Sequence, residues 1–378
     1  MRFEPYPFEK LTELLKDITP RQEKEPVVLT IGEPQFETPM FIQEALRNSA
    51  NLLKKYPKNA GEDYLKEAQL GFFEKRFNVK LKPEELIPTF GTREVLFNFP
   101  QFLLFDSPNP TMAFTNPFYQ IYEGAAIASR AKQVHINLEE KDGFLAKIDE
   151  RTLKSLDLVI LNFPNNPTTA CLGKEELGWW VKKALEYDFV LMNDECYSEI
   201  YVNEPPVSLL EASLHVGNSN FKNVVVINSI SKRSSAPGLR SGFIAGDESI
   251  LSQYAKYRTY LGTASPLPLQ VAASVAWSDE EHVEKNREKY RKNFALANEI
   301  LGIKIPKATF YIWLKVDDDL EFTKGLYAEQ NVKVLPGSYL GRGGMGDAYV
   351  RIALVEEAEK TKEALMRIRD FMKNRKQI

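Results

Sequence analysis

The chain has 378 residues, of which 43% are hydrophobic and 27% charged, and its 49 basic and 52 acidic side chains give a formal net charge of −3. That length exceeds one ordinary core, so it predicts a large domain together with a smaller one. The near balance of charge excludes a general electrostatic attraction to nucleic acid or to a membrane surface.

Cysteine and histidine are rare, with two and three copies in the chain. Cys171 and Cys196 lack the CxxC spacing of a zinc site or redox pair, so we expect no metal and no disulfide framework. A reducing, cytoplasmic compartment fits this pattern. The opening residues MRFEP run into charge rather than an apolar region, and no apolar stretch reaches membrane-spanning length, so we expect neither a signal peptide nor a membrane segment.

The middle of the chain alternates between short apolar runs and segments of helical spacing. An FGTR turn at 90–93 comes before an apolar helical stretch at 94–105. The predicted strands are 156–162 (LDLVILN), 189–193 (FVLMN), 224–228 (VVVIN) and 242–246 (GFIAG), with a helix at 175–187 between the first two. Strands separated by helices predict βαβ units, hence an α/β fold with a mostly parallel sheet flanked by helices.

The C-terminal hundred residues are organised differently. A charged helical segment at 278–301 is followed by two strand-like runs, TFYIWLKV at 309–316 and AYVRIAL at 348–354, and by a charged helix at 360–376. This pattern predicts a smaller α+β domain built from residues 1–46 and 278–378. The large domain would then comprise residues 47–277.

Polar residues follow the predicted strands at the edge where open α/β sheets bind their ligands. In chain order they are Asn166, Asp194 with Tyr197, Lys232, and Arg240. Each has an ordinary explanation alone: an Asn-Pro turn, a helix N-cap, or a solvated Ser-Lys turn. Because the carboxyl ends of parallel strands meet at one edge of a sheet, we expect all of them to face a single site.

The turn at Gly91 and Thr92 offers a second feature. A Gly-Thr turn that opens a helix presents free backbone N–H groups and the positive end of the helix dipole, which suits a phosphate. An ordinary N-cap at Thr92 explains the same letters equally well.

Several segments resemble class I/II aminotransferases of pyridoxal 5′-phosphate (PLP) fold type I. They are GEPQFETP at 32–39, Tyr56 with Gly61, PFY at 117–119, NPT at 166–168, SISK at 229–232 with Arg240 eight residues on, and YVRI at 349–352. The resemblance covers most of the chain. It implies a PLP-dependent aminotransferase that acts on an amino-acid donor and a 2-oxo-acid acceptor, as a homodimer with shared active sites.

By that resemblance, the catalytic residues are Lys232, Asp194 and Tyr197. Lys232 forms the Schiff base with the cofactor aldehyde and moves the substrate proton, as an amine can. Asp194 pairs with the pyridine nitrogen and keeps it protonated, which makes the ring an electron sink. Asn166 and Tyr197 hold the 3′-oxygen of the ring, on which Tyr119 stacks.

The resemblance assigns the remaining contacts as well. The residues implied around the phosphate are Gly91, Thr92, Arg93, Ser229, Ser231 and Arg240, with Tyr56 of the partner subunit. The residues implied for the substrate are Gly32, Asn166 and Arg351. The planar fork of Arg351 suits the substrate α-carboxylate, although an exposed strand arginine is the ordinary explanation of that residue.

A narrower resemblance concerns succinyldiaminopimelate aminotransferases. It rests on SKRS at 231–234, PGLRSGF at 237–243, YRTY at 257–260 and VLPGSYL at 334–340. It implies transamination of N-succinyl-LL-2,6-diaminopimelate with 2-oxoglutarate, giving N-succinyl-2-amino-6-oxopimelate and glutamate, in lysine and diaminopimelate biosynthesis. The arginines considered for the distal carboxylate or succinyl group are Arg21, Arg258 and Arg342.

Other functions stay open at this point. The same set of residues suits an aspartate, alanine or aromatic aminotransferase, or a cystathionine β-lyase, because a fold does not fix its reaction. A PLP-binding regulatory module without catalysis is a further alternative. One departure from the family pattern is Thr169, which replaces the usual glycine of NPTG and implies a slightly different backbone there. The GRGGMG run at 341–346 precedes a strand, so it predicts a loop rather than a dinucleotide site.

Overall fold

A computed structural model describes residues 3–375 of the chain. Its strands are β1 (Val27–Val28), β2 (Leu86–Thr89), β3 (Thr111–Asn116), β4 (Lys132–Asn137), β5 (Leu158–Leu161), β6 (Val190–Asp194), β7 (Val224–Ser229), β8 (Gly242–Gly246), β9 (Tyr311–Lys315), β10 (Val332–Lys333), β11 (Leu335–Pro336) and β12 (Tyr349–Ala353). Its helices are α1 (Pro7–Leu15), α2 (Met40–Asn48), α3 (Asp63–Phe77), α4 (Thr92–Leu103), α5 (Ile121–Ala128), α6 (Glu150–Leu153), α7 (Lys174–Tyr187), α8 (Leu209–His215), α9 (Ile230–Arg233), α10 (Glu248–Arg258), α11 (Leu267–Ser278), α12 (Glu281–Leu301), α13 (Asp319–Gln330) and α14 (Ala358–Asn374).

The main sheet has seven strands in the order β2-β8-β7-β6-β5-β3-β4. Strands β3 to β7 run parallel to one another, which confirms the predicted α/β fold with a mostly parallel sheet. Strand β8 departs from the βαβ pattern because it runs antiparallel to β7 and β2. Between β7 and β8 the chain has only the four-residue helix α9 and one 3-10 turn, too little regular structure to cross back to the start of the sheet.

Both faces of this sheet are covered with apolar side chains. Successive residues of a strand point to opposite faces, and in β5 Val159 joins the cluster that contains Trp180 of α7. Its neighbour Ile160 joins the other cluster, which contains Phe99 of α4. Because the sheet is packed on both faces, its strands are held rigidly, and so are the polar residues at its carboxyl edge.

A smaller α+β unit lies at the end of the chain. The antiparallel sheet β11-β12-β9 and the parallel pair β1-β10 pack with α12, α13 and α14 around Val27, Phe294 and Ile352. Strand β1 pairs with β10 of this unit, and the division into residues 47–277 and residues 1–46 with 278–378 stays a prediction. Helix α12 begins at Glu281 rather than 278, where the Asp279 carboxylate accepts a hydrogen bond from the His282 backbone N–H at 2.9 Å.

No helix in residues 3–375 combines the length and the apolar character needed to cross a membrane. The same range contains no group of three or more His, Cys, Asp or Glu side chains placed to hold a metal ion.

Candidate active site

The carboxyl ends of β5, β6 and β7 border one cavity of about 640 Å³, a volume typical of small-molecule sites. These strands are parallel neighbours, so the residues that follow them meet. The residues predicted for the site that line this cavity are Gly32, Thr92, Arg93, Tyr119, Asn166, Asp194, Tyr197, Ser229, Ser231, Lys232, Arg240 and Arg351. Of the remaining two, Gly91 lies next to Thr92, and Tyr56 is fully exposed elsewhere on the chain.

Lys232 lies on α9, directly after β7. Its amino group donates a hydrogen bond to the carbonyl oxygen of Gly32. Burial lowers the pKa of Lys232 from 10.5 to about 8, and the Arg351 cation acts in the same direction. A solvated Ser-Lys turn is therefore the wrong explanation of this pair. At mildly alkaline pH the amine is neutral and can accept a proton.

Asp194 ends β6 and is 5% exposed. Its Oδ2 accepts a hydrogen bond from the Tyr122 hydroxyl at 2.9 Å, and its Oδ1 accepts one from the Cys196 backbone N–H at 3.2 Å. Burial raises the pKa of Asp194, while these donors and the Lys232 charge pull it back down. A cation placed against this carboxylate would hold it ionised.

An asparagine not predicted from the sequence organises the loop after β5. The Asn162 side chain donates to the Asp194 carbonyl oxygen at 2.9 Å and accepts a hydrogen bond from the Asn166 backbone N–H at 2.9 Å. This link fixes Asn166 relative to the end of β6. Tyr197 lies beside it in the cavity, and its hydroxyl is 3.0 Å from that of Tyr311. Burial raises the pKa of Tyr197 well above its usual value, so its hydroxyl keeps its proton.

Arg351 is 4% exposed, which makes the exposed-strand explanation wrong. Its Nη1 donates to the Asn166 side-chain oxygen at 2.8 Å, and its Nη2 donates to the Thr30 carbonyl oxygen at 2.6 Å. Its Nε is buried and has no hydrogen-bond partner among residues 3–375. A buried guanidinium with a donor left over is suited to a carboxylate from outside the chain.

The turn before α4 and Arg240 form an anion cradle. Gly91 has φ of +73°, and a Cβ there would collide with the Arg240 guanidinium, so glycine lets the two approach. Arg240 donates only to the carbonyl oxygens of Pro237 (2.9 Å) and Phe90 (3.3 Å), so its charge is not neutralised by a carboxylate within the described chain. Ser229 and Ser231 line the same part of the cavity.

Arg93 is oriented toward the N-terminal segment. Its Nε donates to the Tyr119 hydroxyl at 2.8 Å and its Nη2 to the Tyr6 hydroxyl at 3.2 Å. Arg93 forms no ion pair with a carboxylate in residues 3–375, and it is exposed at the cavity mouth. The GTR sequence at 91–93 does not predict the contact between Arg93 and Tyr6, because that contact depends on where α1 packs.

The three arginines considered for the distal group lie outside this cavity. Arg258 is 2% exposed and pairs with Glu94 at 2.7 and 3.1 Å, and Arg342 pairs with Glu123 at 2.9 and 2.6 Å. Arg21 is exposed on the surface. Arg93, which the resemblance places near the phosphate, lines the cavity without a carboxylate partner among the residues that the structure describes, as do Arg240 and Arg351.

Thr169 and the 341–346 segment, both singled out in the sequence, lie in loops. Thr169 has φ of +65°, so the left-handed conformation that glycine favours is kept despite the β-branched side chain. The 341–346 segment is a loop before β12, as predicted. It packs beside the cavity, because the guanidinium of Arg342 lies 5.3 Å from the ring centre of Phe118.

The cavity lining fits pyridoxal 5′-phosphate. An amine for the aldehyde (Lys232), a carboxylate for the ring nitrogen (Asp194) and neutral donors for the ring oxygen (Asn166 and Tyr197) lie together. The cradle that only glycine permits at Gly91 supplies a guanidinium and a helix N-terminus for a phosphate. The donor set and the cradle therefore agree on one kind of ligand.

Comparison with known proteins points to the same chemistry. A family model described as "Aminotransferase class I and II" matches residues 24–368. The LL-diaminopimelate aminotransferase of Natranaerobius thermophilus is 31% identical over 384 residues and covers 97% of each chain. The aromatic-amino-acid aminotransferase 2 of Thermococcus litoralis is 31% identical over 371 residues and covers 93% of each.

Solved structures agree closely with this fold. Aminotransferase AspB from Helicobacter pylori 26695 superimposes with a TM-score of 0.97 at 52% identity, covering 99% of this chain and 100% of that one. An aminotransferase from Neisseria meningitidis Z2491 gives a TM-score of 0.93 at 38% identity, with 97% of each chain covered.

Proposed function

Because the chain belongs to the class I and II aminotransferase family, and is therefore a PLP-dependent transaminase, we propose that its donor is N-succinyl-LL-2,6-diaminopimelate and its acceptor 2-oxoglutarate. The products are N-succinyl-2-amino-6-oxopimelate and glutamate. This is a step of lysine and diaminopimelate synthesis.

The proposed cofactor contacts follow from the lining of the cavity. Lys232 attaches the cofactor, Asp194 pairs with its ring nitrogen, and Asn166 and Tyr197 donate to its ring oxygen. When bound, PLP supplies a covalent carrier for the amino group and an electron sink for the substrate carbon. The proposed phosphate contacts are Gly91, Thr92, Ser229, Ser231 and Arg240, with Tyr56 of the partner subunit, and Tyr119 stacks on the ring.

Lys232 is the proposed proton carrier. With its pKa at about 8, a useful fraction of the amine is neutral near pH 8 and can take the proton from the substrate α-carbon. The Gly32 carbonyl oxygen accepts a hydrogen bond from this amine, which orients it within the cavity. The Tyr197 hydroxyl keeps its proton near neutral pH, and the Asn166 amide does not titrate. Both side chains therefore remain hydrogen-bond donors.

The observation that carries the substrate proposal is the pair of arginines without carboxylate partners. Arg351, buried on the cavity floor, binds the α-carboxylate, and Arg93, at the mouth, binds a second carboxylate. Glutamate, 2-oxoglutarate and diaminopimelate each have two carboxylates, and N-succinyl-LL-diaminopimelate has a third at the end of its succinyl group. An aromatic donor would offer Arg93 only a cation–π contact, which is weaker at an exposed site than charge-assisted hydrogen bonds to a carboxylate, so Arg93 favours a dicarboxylate over an aromatic substrate.

Unacylated LL-diaminopimelate is the second candidate donor. The relative from Natranaerobius thermophilus carries that name, and this compound also presents two carboxylates. The two candidates differ in the charge of the distal nitrogen, which is a cation in the free amine and a neutral amide after acylation. A donor panel separates them: N-succinyl-LL-diaminopimelate, LL-diaminopimelate, glutamate, aspartate, alanine and phenylalanine.

The panel is read from the half-reaction, in which each donor changes the visible absorbance of the bound cofactor. We expect the highest kcat/KM for the succinylated donor and a high value for glutamate. A kcat/KM for phenylalanine above both would contradict the two-carboxylate argument. A higher value for LL-diaminopimelate than for its succinyl derivative would shift the proposal to the second candidate.

A homodimer is part of the proposal. Tyr56 and Tyr260 are 101% and 91% exposed, and Arg258 donates to the Asn59 carbonyl oxygen at 3.0 Å, which holds the two exposed segments next to each other. Exposed aromatic residues are typical of interfaces. Light scattering should give twice the mass of one chain. A cytoplasmic location belongs to the same proposal, since Cys171 and Cys196 are both free thiols.

A further inference from the structure

A second cavity of about 240 Å³ lies beside the active-site cavity. It lies between the N-terminal segment and α5, where Phe3, Tyr6, Gln120 and Gly124 are among its lining residues. Tyr6 and Gln120 line both cavities. These two side chains therefore form the partition between the substrate site and the second cavity.

The partition is held by a few hydrogen bonds. The Tyr6 hydroxyl accepts from Arg93 at 3.2 Å, at the long end of the hydrogen-bond range. The Gln120 side chain donates to the carbonyl oxygens of Phe118 and Tyr339 at 3.1 and 3.3 Å. Rotation of the Tyr6 side chain would break this contact and the contact of its hydroxyl with Tyr119, and would open the partition between the two cavities.

The second cavity suits an uncharged, elongated group. Phe97, Ile121 and Ile127 supply apolar walls. Its basic residue, Arg342, is neutralised by two hydrogen bonds to the Glu123 carboxylate. Glu4 also lines the cavity but is exposed to solvent, so the interior offers mainly apolar walls, against which methylene and amide groups can pack.

The position of Arg93 links this cavity to the donor. In an N-acylated diaminopimelate, the second carboxylate and the acylated nitrogen are attached to the same carbon. When that carboxylate binds Arg93, the acyl group begins next to Tyr6, which is bonded to the same guanidinium. The acyl arm therefore starts at the partition.

We propose that the second cavity binds the acyl arm of an N-acylated diamino dicarboxylate donor, with Tyr6 turned aside. This inference rests on the proposed function and deepens it by giving the arm a site. The far end of the arm, which in a succinyl group is a carboxylate, lies in solvent near Phe3, which is 50% exposed; only the uncharged methylene and amide part lies inside the cavity.

Gly124 offers a direct test. It lies on α5 and lines the second cavity but not the first, and a Cβ at that position meets no atom within 4 Å. Gly124→Leu fills the second cavity without touching the substrate site, and leucine is a better helix former than glycine. The matched control is Gly71→Leu on α3, which also has open space at its Cβ and lies outside both cavities.

We expect Gly124→Leu to lower kcat/KM for N-succinyl-LL-diaminopimelate about tenfold or more, as steric exclusion of a side group does. Glutamate should stay within about twofold, and Gly71→Leu should leave both donors unchanged. The measured quantities are the half-reaction rate and the apparent Kd, taken from the cofactor absorbance at a series of donor concentrations.

Each outcome decides between the two proposals. If the wild-type enzyme uses the succinyl donor but Gly124→Leu does not discriminate, the arm site is wrong and the proposed function stands. If N-acetyl-LL-diaminopimelate is used instead of the succinyl donor and Gly124→Leu impairs it selectively, the arm site stands and the succinyl donor is wrong. Failure with both acylated donors, alongside activity on glutamate, overturns both.

Discussion

Replacing Arg93 with methionine removes the cation at the cavity mouth and keeps a side chain of comparable length. In the wild-type structure its Nε and Nη2 are engaged by the Tyr119 and Tyr6 hydroxyls, at 2.8 and 3.2 Å, and its Nη1 has no hydrogen bond within residues 3–375. A charge-assisted hydrogen bond contributes about 1.5–3 kcal/mol. Because Arg93 is exposed, solvent screening places the expected loss toward the lower end.

At about 1.4 kcal/mol for each factor of ten, the expected loss is about tenfold to a hundredfold. It should appear in kcat/KM for glutamate and for 2-oxoglutarate, while alanine, which lacks a second carboxylate, should change about threefold or less. Single-turnover reactions with each donor measure this ratio, and Arg93→Lys is the control that keeps the charge. An equal loss of kcat/KM for glutamate and alanine, together with weaker cofactor binding, would refute the argument. Arg93 would then be assigned to the cofactor phosphate.

Three further predictions concern Lys232 and Tyr56. Lys232→Ala should abolish turnover while PLP still binds through its phosphate contacts, as dialysis and phosphate analysis would show; full turnover would overturn the assignment. In the cofactor-free protein, burial moves the pKa of Lys232 from 10.5 to about 8, so the unfolded chain holds the proton more tightly. At 1.36 kcal/mol per pKa unit, the free energy of unfolding of Lys232→Met should therefore be about 3 kcal/mol higher than that of the wild type at pH 7. The difference in the free energy of unfolding between the variant and the wild type should shrink as pH rises from 8 to 10.5. Urea unfolding measures this difference, and an increase with pH would contradict the argument. Refolding equal amounts of Tyr56→Ala and Lys232→Ala chains should restore about a quarter of wild-type activity if each site takes Tyr56 from the partner subunit. No recovery would place Tyr56 in its own site, whereas full activity of the Tyr56→Ala chain alone would place it outside any site.

Strands β5 to β7 of the parallel core, and the site at their edge, followed directly from the sequence, whereas β3 and β4 were not predicted. Short apolar runs predict buried strands, and strands in parallel order bring their carboxyl ends together, so Asn166, Asp194 and Lys232 could be placed at one edge. The direction of β8 could not be predicted in this way. An apolar run such as GFIAG has the same letters in either orientation, and the deciding feature was the short connection through α9.

Residues that reach the site by tertiary packing were missed. Tyr122 is 72 positions from the Asp194 carboxylate to which it donates, and its helix gives no sequence signal of that contact. Arg351 was ambiguous for the same reason. Its burial comes from the central position of β12 in a three-stranded sheet, which a single five-residue strand does not reveal.

One short stretch of backbone touches both ends of the chemistry. The carbonyl oxygen of Thr30 accepts from Arg351, and two residues later the carbonyl oxygen of Gly32 accepts from Lys232. The backbone of residues 30–32 therefore orients the anion-binding guanidinium and the proton-carrying amine together, so a substitution that displaces this backbone would disturb both side chains at once.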